Sequence, residues 1–101
     1  MAARLVALYR TPPDPAAFLD HYRTVHAPLA RAMPGLTEMT VSRVKGRVAG
    51  EDGWFLLAVM AFPDRQALDR ALSSPAGRDA YRDLRQFADG LVTLLVTEDE
   101  A

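Results

Sequence analysis

The chain has 101 residues, 50% of them hydrophobic and 25% charged, with a net charge of −1 at pH 7. This composition is typical of an ordinary globular protein, so we expect a single domain over residues 1–101. Acidic and basic residues are interleaved, which argues against nucleic acid or a membrane surface as a partner. The chain has no cysteine, so it offers no disulfide or thiolate, as expected of a cytoplasmic protein.

The predicted elements follow from short apolar or alternating runs bounded by turn residues, and from side-chain caps that start helices. In chain order they are a strand over Arg4–Tyr9, a helix starting after Asp14, a strand over Leu36–Val44, a strand over Trp54–Phe62, helices starting after Asp64 and Ser74, and a strand over Leu91–Thr97. The longest apolar run has about half of the roughly 20 residues that a membrane helix needs. The N-terminal apolar run is too short for a signal peptide.

The first helix carries an apolar stripe at helical spacing that reaches His26. Pro28 follows, and a proline disfavours helical geometry in the residue before it. We therefore expect a break or a tight kink at Ala27, with irregular backbone that could give a pocket its entrance.

The order strand, helix, strand, strand, helices, strand is typical of a ferredoxin-like α+β fold, βαββαβ, with a four-stranded antiparallel sheet. Strands one, three and four are apolar on both faces; in strand three the two sides are Phe55, Leu57, Val59 and Ala61 against Leu56, Ala58, Met60 and Phe62. Helices can cover only one face, and monomers rarely expose an apolar face of this size. We expect a second copy to cover it, which predicts a homodimer packed through the sheet face.

Several positions of the chain resemble the EthD family. They are His21, Tyr22, Arg23, His26, Pro28 and Leu29, then Pro34, Gly35 and Leu36, and in the closing segment Ser74, Pro75, Gly77, Phe87 and Gly90. The resemblance implies a ferredoxin-like protomer, a homodimer that forms a dimeric α+β barrel, and a pocket between sheet and helices. It also implies relatives in ether-degradation gene clusters, cofactor-independent monooxygenases, lactone isomerases, and cyclases or decarboxylases of aromatic polyketides.

Two histidines lie in the first helix. Metal-binding pairs on an α-helix are four residues apart, whereas His21 and His26 are separated by five, about 140° around the axis. We therefore predict no metal site and expect His21 at the surface. His26 is the candidate general acid or base, because a histidine pKa of about 6.5 is easily moved across working pH. The alternative is that it only tethers the kink.

Four aromatic residues are candidates for contacting a ligand: Tyr9, Tyr22, Trp54 and Tyr81. Each could equally be an ordinary packing residue. The carboxylates are expected to be caps or solvated, with Asp79 and Asp83 on an exposed helix face. No nucleotide-binding glycine motif or serine nucleophile motif occurs, so no cofactor is predicted.

These residues support two functions. The first is a cofactor-independent enzyme of a degradation pathway. It acts by proton transfer on a small hydrophobic or aromatic oxygenated compound, through isomerisation, cyclisation, decarboxylation or oxygenation. The second is a non-catalytic ligand-binding or accessory homodimer beside an oxidative degradation pathway. A purely structural dimer would need no cavity. A pocket that brings His26 and a phenol together favours the enzyme.

Overall fold

The computed structural model describes residues 1–100, and Ala101 of the acidic tail lies outside the described residues. The strands are β1 (Ala3–Arg10), β2 (Glu38–Arg43), β3 (Trp54–Phe62) and β4 (Val92–Glu98). The helices are α1 (Pro15–His21), α2 (Ala27–Arg31), α3 (Arg65–Ser73) and α4 (Pro75–Phe87), and a π-helical turn (Tyr22–His26) joins α1 to α2. In this part of the chain no helix is both long enough and apolar enough to cross a membrane.

The four strands form one antiparallel sheet in the order β2-β3-β1-β4. This is the ferredoxin-like arrangement, and the predicted fold is confirmed. In β1 buried and half-exposed residues alternate strictly, so that Ala3, Leu5, Ala7 and Tyr9 face the helices. The core therefore lies between the sheet and a single layer of helices.

A β-bulge interrupts the alternation in β3. The register between β1 and β3 shifts between Tyr9 and Arg10, which leaves Phe55 as an extra residue. Phe55 is buried beside Leu56, and its ring meets that of Phe18 in α1 edge to face at 5.7 Å. Strict alternation predicts Phe55 on the opposite face from Leu56; that prediction is wrong, because the bulge turns both side chains toward the helices.

The sheet face away from the helices has an apolar centre and a polar border. Cross-strand partners share a face, and the register places Val6, Leu8, Leu57, Val59, Ala61 and Leu95 on this open face. In the edge strand β4, Leu95 is flanked by Thr93 and Thr97 on the same side. The expectation that strand four is apolar on both faces is therefore wrong, while β1 and β3 carry the apolar centre.

The turn between α3 and α4 is held by a single serine. Ser74 Oγ donates to the carbonyl of Ala71 at 2.6 Å and accepts from the backbone N–H of Gly77 at 3.0 Å, so it ends α3 and caps α4. A Cβ at position 77 would lie 2.0 Å from the Ala71 carbonyl oxygen. Only glycine allows the two helices to approach this closely.

The first helical arm, formed by α1, the π turn and α2, does not break at Pro28. Ala27 is helical, with φ −60° and ψ −42°, and its N–H donates to the carbonyl of Tyr22, five residues back. Pro28 follows as the second residue of α2. The predicted kink is wrong, because the wider π turn accommodates a residue that has no N–H and whose ring clashes with an α-helical turn.

Candidate functional site

The π turn brings the two histidines to one side of the helical arm. On an α-helix five residues leave side chains about 140° apart, whereas a π turn closes its hydrogen bond over five residues. His21 Nε2 lies 2.9 Å from Asp83 Oδ1, and His26 Nδ1 lies 3.0 Å from Asp83 Oδ2. The two histidines thus share one carboxylate, an arrangement that the α-helical separation of about 140° does not predict.

Asp83 is the residue that sequence reasoning missed. It is only 8% exposed, although it was expected on a solvated face of α4. The signal is in its spacing: Asp83 lies between Ala80 and Phe87 at helical intervals, within the stripe that turns toward the core. A carboxylate on an apolar stripe needs partners, and the two imidazoles supply them.

The surroundings of His26 favour the neutral imidazole. His26 is 6% exposed, and the centre of its ring lies 4.9 Å from that of Phe87 and 5.5 Å from that of Tyr22. Burial lowers the pKa of His26 below its ordinary value, and the hydrogen bond to Asp83 only partly opposes this. Because a carboxylate only accepts, Nδ1 carries the proton and Nε2 keeps its lone pair.

His21 lies at the edge of the same cluster. Its side chain is 35% exposed, and its ring packs on Phe87 at 4.6 Å. The predicted surface position is thus correct, but the residue also holds Asp83 from the solvent side. Within residues 1–100 no group of three or more His, Asp or Glu side chains is placed to hold a metal ion.

His26 lines a small chamber of about 40 Å³ between the sheet and the helices. Tyr9 and Tyr81 line it too, and the remaining walls are Leu5, Ala7, Ala30, Met33, Met60, Leu72, Gly77, Ala80, Leu84 and Leu94. Apart from His26 and the two phenols, these walls are apolar. The structure therefore brings His26 together with two of the four predicted aromatic residues.

The chamber opens between the α3–α4 pair and the edge strand β4. There Leu72, Tyr81 and Leu94 also line a broad surface groove, and their exposed fractions are 37%, 50% and 37%. Irregular backbone near Pro28 was expected to provide the entrance. That expectation is wrong, because the helical arm is continuous and the residues that the chamber shares with the outer groove lie on β1, α3, α4 and β4.

The two chamber tyrosines differ in their surroundings. Tyr9 is 1% exposed, and burial raises its pKa far above the ordinary value, so it remains a neutral phenol. Tyr81 stands at the mouth, where Arg85 Nη1 donates to its hydroxyl at 3.4 Å. A phenol beside the His26 imidazole can donate a hydrogen bond to an oxygen atom of a bound compound.

The other two predicted aromatic residues lie outside the chamber. The Tyr22 ring packs against Tyr9 at 5.7 Å, but Tyr22 lines a different groove, beside β2. Trp54 is the first residue of β3, and the Arg10 guanidinium lies 4.2 Å from its ring. Together with residues of the loop after β2 it lines another surface pocket. The spacing of apolar residues in the sequence does not show which of the four aromatic side chains line the chamber.

Residues 10–91 match the EthD domain. The chain is 32% identical over 97 residues to an uncharacterized 11.0 kDa protein in the thcB-thcC intergenic region of Rhodococcus erythropolis, covering 96% of this chain and 94% of the other. It is also similar to the crystal structure of an EthD family protein from Bacillus halodurans, with 38% identity, a TM-score of 0.93, and coverage of 99% and 100%.

More distant structures share the fold. SnoaB, a cofactor-independent oxygenase from Streptomyces nogalater, is 22% identical with a TM-score of 0.65, over 99% of this chain and 92% of its own. A dimeric ferredoxin-like protein of unknown function from a Jannaschia species is 16% identical with a TM-score of 0.74, over 98% and 100%. The EthD domain matches most of this chain, and a 38% identical EthD family protein has the same architecture. This chain therefore belongs to the EthD family.

Proposed function

We propose that this EthD family protein is a small cofactor-independent enzyme that moves a proton on a hydrophobic or aromatic compound carrying an oxygen function. The observation that carries the proposal is the buried His26–Asp83 pair at the wall of an apolar chamber. A histidine held by a carboxylate through one ring nitrogen, with the other nitrogen free to act, is the usual arrangement of a general base.

The proposed reaction uses the geometry of that pair. Asp83 fixes the ring of His26, whose Nε2 takes a proton from a C–H or O–H group made acidic by a neighbouring carbonyl or enol. The imidazolium that forms is stabilised by the Asp83 carboxylate, and the Tyr9 phenol donates a hydrogen bond to the developing oxyanion. Return of the same proton to another atom completes an isomerisation. In a cyclisation the carbanion attacks a carbonyl carbon of the same compound, and in an oxygenation it reacts with molecular oxygen, which is the oxidant. In a decarboxylation Nε2 takes the proton of a carboxylic acid, CO2 leaves, and the proton returns to the carbon that carried it.

The volume of the chamber limits which part of the compound reaches His26. A cavity needs roughly 10–15 Å³ to hold one water molecule, so 40 Å³ holds only a few non-hydrogen atoms. We infer that the oxygenated end of the compound enters the chamber while its apolar body lies in the outer groove along Leu72, Leu94 and Val96.

The same proposal includes a homodimer. The apolar centre of the open sheet face has no cover within the described chain, and a second copy would bury it in a dimeric α+β barrel. The dimeric ferredoxin-like relative supports this assembly. We also propose that residues 1–101 form a single domain. A chain without cysteine needs no oxidising compartment, and we therefore propose that the protein works in the cytoplasm.

A second function, the non-catalytic accessory role beside an oxidative degradation pathway, is favoured by one observation. The chamber is small compared with pockets of several hundred Å³ that enclose whole ligands. A protein that only holds the end of a compound needs no more than this.

The test begins with a thermal-shift screen of small aromatic ketones and enols, because compounds that bind only the folded state raise its melting temperature. For each compound that binds, deuterium exchange at its acidic C–H is followed by NMR in heavy water. We expect the wild type to accelerate exchange, His26→Asn to lower the rate by about 100-fold, and Asp83→Asn to lower it by about tenfold or more.

Asp79→Asn is the matched control for Asp83→Asn, because Asp79 is an exposed carboxylate on the same helix. It should exchange at the wild-type rate. Compounds that bind but exchange equally in wild type and His26→Asn would refute the enzyme and support the accessory role.

A further inference from the structure

A second groove lies on the other side of Tyr22, between the first helical arm and β2. It has a volume of about 310 Å³, within the range of small-molecule sites. Its lining residues are Leu19, Tyr22, Arg23, Ala27, Arg31, Val41, Arg43 and Leu56. One stripe of the helical arm and the helix-facing side of β2 thus form its two walls, separate from the His26 chamber.

Three arginines line this groove. Within residues 1–100, none of Arg23, Arg31 and Arg43 forms an ion pair, and no carboxylate is among the lining residues. Arg43 is also held in place, because its guanidinium lies 4.1 Å from the centre of the Phe55 ring. Like charges gathered at one site without compensation favour an anion there.

An unpartnered hydroxyl adds an independent observation. Tyr22 is 2% exposed, and its hydroxyl is buried with no hydrogen-bond partner among the described residues. Buried hydroxyls are nearly always paired, so such a group needs an explanation. Burial raises the pKa of Tyr22 to about 12 although Arg31 is close enough to oppose the shift, so the phenol is neutral and can donate.

We propose that Tyr22, Arg23, Arg31 and Arg43 bind the carboxylate of a small organic acid. The arginines supply the charge and paired N–H donors that match a carboxylate. The phenol is closed to solvent in this structure, and it supplies a further donor to a ligand that displaces the side chains over it. The floor of the groove is apolar, formed by Leu19, Ala27, Val41 and Leu56. We therefore assign the rest of the ligand as a hydrocarbon or aromatic body rather than a sugar or an inorganic ion.

This site is independent of the reaction proposed at His26. Tyr22 lines the groove but not the chamber, His26 lines the chamber but not the groove, and their ring centres are 5.5 Å apart. A carboxylic acid bound here therefore occupies a second position in the same protein, and its binding does not require the His26 base.

The test is isothermal titration of the purified full chain with benzoate, and with benzamide as an uncharged compound of nearly the same shape. We expect one benzoate per chain, bound at least about tenfold more tightly than benzamide. Arg31→Gln should weaken benzoate by about fivefold or more, and Tyr22→Phe, which removes only the hydroxyl, by about threefold or more.

Arg70→Gln is the matched control, because it removes one exposed arginine of α3 and lies outside the groove. It should leave benzoate affinity within about twofold. Asp83→Asn, which removes the carboxylate that holds His26 and lies outside the groove, should do the same, and this separates the groove from the proposed reaction. Equal binding of benzoate and benzamide, no binding of benzoate, or equal weakening by Arg70→Gln would overturn the proposal. Tighter binding of inorganic phosphate than of benzoate would overturn the assignment of an organic acid.

Discussion

The two helical arms that cover the sheet differ in how far local rules explain them. In α3 and α4, capping side chains and a close glycine contact fix a regular helical pair. In the first arm, the π turn adds one residue to the helical period, and the groups with chemistry are gathered there. The comparison teaches that regular segments carry stability here, while the one irregular turn positions the candidate site.

The largest expected effect is in the regular arm. In Gly77→Ala the new Cβ would fall 2.0 Å from a backbone oxygen that cannot move without shifting α3. We expect a loss of about 3 kcal/mol in the free energy of unfolding, measured by denaturant titration. Gly46→Ala is the control, since nothing lies within 4 Å of its Cβ position. Equal stability of the two variants would show that the α3–α4 contact is not tight.

The next effect concerns the π turn itself. Deletion of the exposed residue Thr24 would convert the π turn into an ordinary α-helical turn, and Pro28 would then stand inside an α-helix. We expect a loss of about 3 kcal/mol, the usual cost of an internal proline. In a Pro28→Ala background the same deletion should cost much less, because the clash is gone. A double-mutant cycle by chemical unfolding measures this coupling, and additive effects would contradict the role given to the π turn.

The same contrast explains what the sequence could predict. The element order and the caps Asp14, Asp64 and Ser74 follow from local chemistry, and with them the ferredoxin-like sheet. The His26–Asp83 pair does not, because it joins residues 57 positions apart through a turn whose period differs from that of the α-helix. The bulge at Phe55 is missed for the same reason: a single extra residue moves side chains to another face.

A smaller effect is expected from pH. Burial lowers the pKa of His26 below 6.5, so between about pH 6.5 and that lower pKa the unfolded chain binds a proton that the folded chain does not. Stability should therefore fall as the pH falls through this window, by at most about 1.4 kcal/mol per pH unit for one proton. In His26→Asn this part of the slope should disappear. Chemical unfolding at several pH values measures it, and a wild-type slope unchanged by the substitution would refute the assignment.

The smallest effect is at Tyr22, where the two sides of the first arm meet. A tyrosine hydroxyl with a hydrogen-bond partner usually contributes about 1 kcal/mol. The Tyr22 hydroxyl is buried without one among residues 1–100, so Tyr22→Phe should change the free energy of unfolding by less than about 0.5 kcal/mol, or stabilise the protein slightly. Saturating benzoate should then stabilise the wild type more than the variant, because only the wild type can donate from this position. A large loss of stability without any ligand would mean that the hydroxyl already has a partner in the folded chain, and the groove would lose the observation that marks it as a binding site.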